Sequence, residues 1–346
     1  MDAQIALLLV QDGITNGAIY ALMALALVLV FAVTRVIFIP LGEFVAYGAL
    51  TLASLQAGAV PATLWLLAAL AACAALLDGL RAWRANQPRH VARAVALQAL
   101  TPALCVALVR IFPPAGMPLP VQILLTLMVV VPLGPLVYRL AFQPVAGATV
   151  LFLLIVAVAV HLVLFGLGLF FFGAEGSRTT ALTEGALRIG EASIQYQALW
   201  IVALTALLMA ALAWFFERTI YGKALRATAF NRVGARLMGI PTELAGKITF
   251  GLAALIGTVC GVLVSPMTTI YYDTGFLVGL KGFVGAIIGA LASYPLAALG
   301  ALLVGLIESF SSFYASAFKE VIVFTVIIPV LLWRSMHARA GTEEEH

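Results

Sequence analysis

Residues 4–33 read QIALLLVQDGITNGAIYALMALALVLVFAV, a continuous apolar run. A helix needs about 20 apolar residues to cross the hydrocarbon of a bilayer, and this run exceeds that. Asp2 precedes it and the first basic residue is Arg35, so it lacks the basic leader of a cleavable signal peptide and is expected to remain as a span. The same character extends along the whole 346-residue chain, which is 64% hydrophobic and 10% charged. Soluble domains carry roughly a quarter charged residues and need a polar exterior. Lipid is the solvent that fits.

Measured on the bilayer ruler, spans are predicted near 4–33, 38–57, 62–80, 94–112, 120–138, 146–172, 197–216, 248–270, 278–293, 295–312 and 318–333. Gly58 to Pro61, Pro113-Pro114 and Tyr294-Pro295 punctuate the gaps. The expectation is an all-α, polytopic transmembrane helical bundle of about 10–11 spans, a single membrane domain over residues 1–346. The segment 278–293 reads either as a short span or as a re-entrant one. Gly257-x-x-x-Gly261 and Gly285-x-x-x-Gly289 suit close helix approach. Pro266 and Pro329 are expected to bend their helices.

Basic residues set the orientation. With the N-terminus outside, the inner loops hold Arg35, Arg81, Arg84, Arg89, Arg93, Arg139, Arg218, Lys223, Arg226, Arg232, Arg236, Lys247, Arg334 and Arg339, which is 14 of the 19 Lys and Arg. Arg110, Arg178, Arg188 and Lys319 fall outside and Lys281 within a span, so the chain reads as N-out and C-in. The net charge of +4 therefore belongs to the cytoplasmic face, toward lipid or a cytoplasmic protein, and does not indicate nucleic acid. Cys73, Cys105 and Cys260 lie scattered in apolar runs, with neither disulfide nor zinc spacing.

The most informative polar stretch is 217–247. Within it, Gly222 to Gly239 reads as one amphipathic helix, with Leu225, Ala229, Val233 and Leu237 on a stripe and Lys223, Arg226, Arg232 and Arg236 off it. Gly239 and Pro241 form a stop signal. Such a helix can dock into a cytoplasmic partner, or lie on anionic lipid. Ionisable groups in the spans are costly and usually face the bundle interior. Glu43, His161, Lys281 and Glu308, with the polar Asn16, are the candidates for a translocation pathway. Each also has a plainer reading, as a residue snorkelling from a span end or satisfied by a neighbouring backbone group. Gly222-Lys223 is followed by Ala224 and Gly246-Lys247 by Ile248, so the chain has no P-loop; HExxH, GxSxG and metal-spaced carboxylates are also missing. The sequence thus offers no catalytic constellation for an enzyme.

Glu217-Arg218-Thr219-x-x-Gly222-Lys223-Ala224-x-Arg226-Ala227-x-Ala229, followed by Ala235-x-Leu237-Met238-Gly239-Ile240, resembles the cytoplasmic loop of the branched-chain amino acid ABC permeases of the LivH type. Asn16-Gly17-x-x-Tyr20-Ala21-Leu22, Gly42-Glu43-Phe44, Gly279-Leu280-Lys281-Gly282-Phe283 and Gly305-Leu306-Ile307-Glu308-Ser309 are similar to further stretches of that family, in the same order. The chain departs from it at Phe38-Ile39-Pro40-Leu41, at Asn231 where an acidic residue is usual, and at Ala292-Ser293-Tyr294-Pro295-Leu296. A helical hairpin near 81–125 looks inserted before Tyr138-Arg139.

The resemblance implies an inner-membrane importer with divided labour. Two permease subunits form the path. Two cytoplasmic ATPase subunits bind ATP and magnesium and meet the 217–247 loop, through Glu217, Arg218, Gly222, Lys223, Arg226, Arg232, Arg236 and Gly239. A periplasmic or extracellular solute-binding protein delivers the solute, and the chain itself needs no cofactor. Branched-chain or hydrophobic amino acids, urea and short amides all stay open as substrates. The competing class is a stand-alone secondary transporter or channel, which would call for paired intramembrane carboxylates and inverted repeats.

Overall fold

The computed structural model describes residues 3–84, 100–109, 116–189 and 192–332. The described residues are mostly helical: α1 (Ala3–Thr34), α2 (Leu41–Gln56), α3 (Thr63–Arg84), α4 (Leu100–Val109), α5 (Leu119–Val130) and α6 (Leu133–Val137). These are followed by α7 (Val150–Phe172), α8 (Tyr196–Arg218), α9 (Ile220–Phe230), α10 (Arg232–Leu237), α11 (Thr242–Val264), α12 (Thr274–Ile288), α13 (Tyr294–Tyr314) and α14 (Lys319–Thr325). A small antiparallel hairpin, β1 (Ala186–Ile189) with β2 (Ala192–Gln195), precedes α8.

Among the described residues, seven helices are long and apolar enough to cross a membrane: Gln4–Thr34, Thr63–Leu80, Leu119–Val145, Val150–Phe172, Tyr196–Arg218, Thr242–Val264 and Tyr294–Tyr314. The all-α polytopic reading holds. Four of the eleven predicted spans are shorter than predicted or broken, for identifiable reasons. The 38–57 span begins only at Leu41, behind Pro40. The 94–112 span falls partly outside the described residues, and only Leu100–Val109 of it is described. The 278–293 span is part of α12, whose 15 residues rise about 22 Å, short of the roughly 30 Å hydrocarbon layer. The 318–333 span divides at Val326, where α14 ends four residues before Pro329, as the missing N–H and ring of that proline demand. Pro266 bends no helix; it lies in the turn after α11.

Ala290 and Leu291 close α12 with φ of 56° and 55°, a left-handed pair built from residues that carry a Cβ. Ala290 is exposed, so nothing but the backbone is at stake there. Ala290→Gly is expected to raise stability by about 0.5–1 kcal/mol, read as a higher thermal midpoint of the detergent-purified protein. A lowered midpoint would argue against strain at this turn.

The helices fall into two compact units. The first comprises residues 1–28, 183–209 and 278–346. In it, the start of α1 crosses α13 at Gly13, Gly17 and Gly305, and Gly285 and Gly289 of α12 lie against Ala301 and Ala297. The second comprises residues 29–182 and 210–277 and is organised around α2 on α11. Gly257 and Gly261 let that pair close, the first against Phe44 and the second against the Val45 carbonyl. Beneath α2, Phe38, Phe44, Phe142, Phe250 and Tyr138 form a buried aromatic group, with Phe38 and Phe250 rings 4.6 Å apart.

The two ends of the second unit differ in character. At one, residues 177–180 are sewn to α2 and to the α11–α12 connection. Gln56 exchanges two hydrogen bonds with Thr180, Thr179 meets Ser265 at 2.7 Å, Ser177 pairs with Ile270, and Arg178 donates to the carbonyls of Pro266 and Met267. At the other, Arg139 pairs with Asp78 at the foot of α3, and Gln143 donates to Glu243. The run through α5 and α6 passes there into a π-helical turn, Tyr138–Phe142. Near α4, an apolar pocket of about 510 Å³ is lined by Leu108, Met117, Val121, Leu124 and Met128.

Candidate functional site

The chain breaks at Arg35, which takes φ 61°, and runs irregularly to Pro40 before α2 starts. Leu41 lies opposite Gly257, well along α11, so α2 begins deep in its unit and not at a surface. Non-helical backbone at membrane depth is tolerated only where protein or a cavity covers it, and broken helices of this kind mark transport sites. Glu43 occupies the first turn of α2, where the helix dipole favours a carboxylate. Gly42 makes the position possible: its carbonyl and that of Gly275, at the start of α12, approach too closely for a Cβ on either residue.

Glu43 is 3% exposed. Its Oε1 lies 2.6 Å from Nδ1 of His161, midway along α7, so the imidazole N–H donates to the carboxylate. His161 stacks on Phe276 at 4.6 Å, and Phe165 meets Tyr272 edge to face at 5.0 Å. Tyr47, one turn beyond Glu43, donates its hydroxyl to the Leu164 carbonyl at 2.6 Å. Glu43 Oε2 is buried without a hydrogen-bond partner among the described residues. Two residues singled out separately in the sequence are thus one pair, enclosed by aromatic rings that the sequence did not point to.

Lys281 and Glu308 also come together, in the first unit. Lys281 Nζ lies 2.5 Å from Glu308 Oε1 and 3.1 Å from Glu320 Oε1, while the Tyr20 hydroxyl donates to Glu308 Oε2 at 2.6 Å. Lys281 and Glu308 are buried. Both oxygens of Glu308 are occupied, while Glu320 Oε2 is buried without a hydrogen-bond partner among the described residues. Asn16, partly buried one turn before Tyr20, is not among the bonded members of this network. Tyr20 and Glu320 had no signal as network members: Tyr20 stands in an apolar run and Glu320 beside a second lysine, Lys319.

The 217–247 stretch differs from prediction in a specific way. Its ends belong to α8 and α11, and the helix predicted over Gly222 to Gly239 is two, α9 and α10, because Asn231 leaves the helical region at φ −147°. The predicted stripe is therefore split: Leu225 is buried, while Val233 and Leu237 are exposed. Thr219 ends α8 by donating to the Phe215 carbonyl and begins α9 by accepting from Gly222 N–H at 2.9 Å. Gly222 lies against the Phe215 carbonyl, where no Cβ fits. Asn231 Oδ1 caps α10 by accepting from Gly234 N–H, a task asparagine and aspartate perform alike. Gly239, at φ 80°, closes α10: its N–H bonds Arg236 O while Ile240 N–H bonds Ala235 O, the paired bonds of a left-handed glycine cap.

Glu217, Arg218, Lys223, Arg226 and Arg236 are exposed, and so are the apolar Phe230, Leu237 and Met238, at 93%, 82% and 83%. Arg232 differs: it is partly buried and donates to the Ala146 carbonyl at 2.8 Å, tying α10 to the turn before α7.

Comparison with known proteins identifies the family. Residues 9–331 match the family model described as the permease component of branched-chain amino acid transport systems. The high-affinity branched-chain amino acid transport system permease protein BraD of Pseudomonas aeruginosa is 31% identical over 208 residues, 58% of this chain and 68% of its own length. LivH of Salmonella typhimurium, with the same description, is 34% identical over 206 residues, 56% of this chain and 65% of its own length. The alignments therefore span about two thirds of these relatives. A shorter match, 29% over 90 residues, is to the autoinducer 2 import system permease protein LsrC of Shigella flexneri. No solved structure matches the chain. With a family model covering nearly its whole length and apolar helices to match, the chain belongs to the branched-chain amino acid transport permease family, as a multi-pass membrane protein.

Proposed function

We propose that the chain is a permease subunit of an ATP-driven importer for branched-chain or related hydrophobic amino acids, set N-out and C-in in a bacterial inner membrane. It works with a second permease subunit, two cytoplasmic ATPases that use ATP and magnesium, and an extracytoplasmic solute-binding protein. The observation that carries this reading is the α9–α10 surface. Three large apolar side chains, Phe230, Leu237 and Met238, stand almost fully exposed beside Arg226 and Arg236. Exposed apolar side chains flanked by cations suit a groove on a folded protein. The two helices are capped at both of their joints, by Thr219 and Asn231, and stopped by Gly239, so the surface is presented rigidly.

In this mechanism the ATPases close on ATP and push α9–α10. Arg232 and the Ala146 carbonyl carry the displacement to the foot of α7, the helix that bears His161. ATP binding shifts the path between outward- and inward-open states by the difference in its affinity for the two, and hydrolysis with release of ADP and phosphate returns it and drives the cycle. Glu43 and His161 are the path residues on this reading. The 81–125 hairpin is an addition to a membrane domain that spans the chain, and residues 217–247 are its coupling loop.

Proteoliposomes test it. Uptake of radiolabelled L-leucine is expected only with ATP and all partner subunits present. Uptake by this chain alone, driven by an ion gradient, would overturn the reading in favour of a secondary transporter. Arg226→Glu with Arg236→Glu is expected to abolish co-purification of the ATPases while leaving the thermal midpoint unchanged. Retained co-purification with weakened binding to anionic vesicles would assign the surface to lipid. Arg232 is left out of that variant because its loss would also loosen α10.

A further inference from the structure

The Glu43 carboxylate is half used. His161 supplies one donor, at 2.6 Å to Oε1, and the Tyr47 hydroxyl is committed to Leu164. Oε2 is buried and without a partner among the described residues. A buried acceptor left without a donor is costly, and a carboxylate more so than a neutral group. The surroundings make the deficit specific. Phe276 is stacked on His161 and Phe165 is 5.8 Å from it, so apolar rings pack on the imidazole that holds the carboxylate and offer Oε2 no donor of their own. The irregular 35–40 segment and the meeting of the α2 and α12 starts place this acceptor at a helix break, where transporters hold their solutes.

On the permease reading above, we infer that Glu43 receives the ammonium group of a primary-amine substrate, such as an α-amino acid, at Oε2. His161 is a positioning residue that holds the carboxylate through Oε1. Urea or a neutral amide could donate a hydrogen bond there but would leave the carboxylate charge unbalanced. The site therefore selects amino acids over neutral amides.

The test uses the complete transporter in proteoliposomes, with its binding protein, and radiolabelled L-leucine and urea as probes. Wild type is expected to carry leucine and not urea. Glu43→Gln keeps the size of the side chain and the bond to His161 but removes the charge. Leucine uptake should fall about 10- to 100-fold, with ATPase co-purification and thermal midpoint retained. Glu43→Asp should recover part of the rate, and His161→Gln, which keeps a donor for Oε1, should lose less than Glu43→Gln. Wild-type leucine uptake by Glu43→Gln overturns the inference, as does wild-type transport of urea without leucine. A lowered midpoint in Glu43→Gln that tracks the lost uptake makes the pair a structural tie and also overturns it. Those results leave the importer reading standing. Absence of ATP-dependent uptake of either probe by wild type, with no ATPase co-purifying, overturns both.

Discussion

Replacing Lys281 with Met is expected to destabilise the protein by about 3–5 kcal/mol. The cause is what the substitution leaves behind. Glu308 is buried, with one oxygen 2.5 Å from Lys281 Nζ and the other accepting from Tyr20. Without the ammonium its charge has no counterion at that oxygen, and lipid or packed helix offers none. Glu320 is also held by Lys281 but is more exposed and can turn to water, so it contributes less. The double variant Lys281→Met with Glu308→Gln should recover most of the loss, because removing both charges removes the burial cost along with the attraction. Tyr20→Phe should cost about 1–3 kcal/mol, since it deprives Glu308 of one donor. Thermal midpoints in detergent give all three values. A neutral Lys281→Met would mean that the pair is wet and weak. The use of both its oxygens also separates Glu308 from Glu43. Among the described residues every oxygen of Glu308 is used, whereas one of Glu43 is not.

The membrane class and most of the helices were legible because apolar length is a one-dimensional signal. Seven of the predicted spans have a counterpart long enough to cross a membrane, some shifted by several residues. What was illegible depended on breaks inside apolar sequence. The gap at Tyr294-Pro295 was legible, but not that α12 ends earlier, at a left-handed Ala290-Leu291 pair, because neither residue favours that conformation. The division of α9 from α10 rests on one side chain, Asn231, which can sit in a helix or cap one, and only the Gly234 N–H decides which. The four ionisable path candidates were each found by their cost in lipid. Their partition into Glu43–His161 and Lys281–Glu308 was not available. The partners are 118 and 27 residues apart in sequence, and a single chain carries no record of such contacts. Arg232 was grouped with the exposed cations by its helical position, while the structure turns it inward to a backbone carbonyl.

Gly42→Ala or Gly275→Ala is expected to cost about 3 kcal/mol and to abolish transport. The two residues cross backbone to backbone, and a Cβ on either would overlap the carbonyl of the other. Carbonyl groups fixed in two helix starts cannot swing aside as a side-chain tip can. The starts of α2 and α12 must separate instead. Glu43 follows Gly42 directly, and Phe276 follows Gly275, so the separation moves the carboxylate and the ring stacked on His161 apart. The effect on transport should therefore exceed what the stability loss explains. Lowering the assay temperature until the variant is as folded as wild type should restore the folded fraction but not leucine uptake. Glu43→Gln makes the complementary comparison, since it leaves the crossing intact and changes only the charge beside it. If uptake by the glycine variants returned in step with folding, the crossing would matter for packing alone, and the geometry around Glu43 would tolerate a displacement that a 2.6 Å hydrogen bond to His161 should not survive.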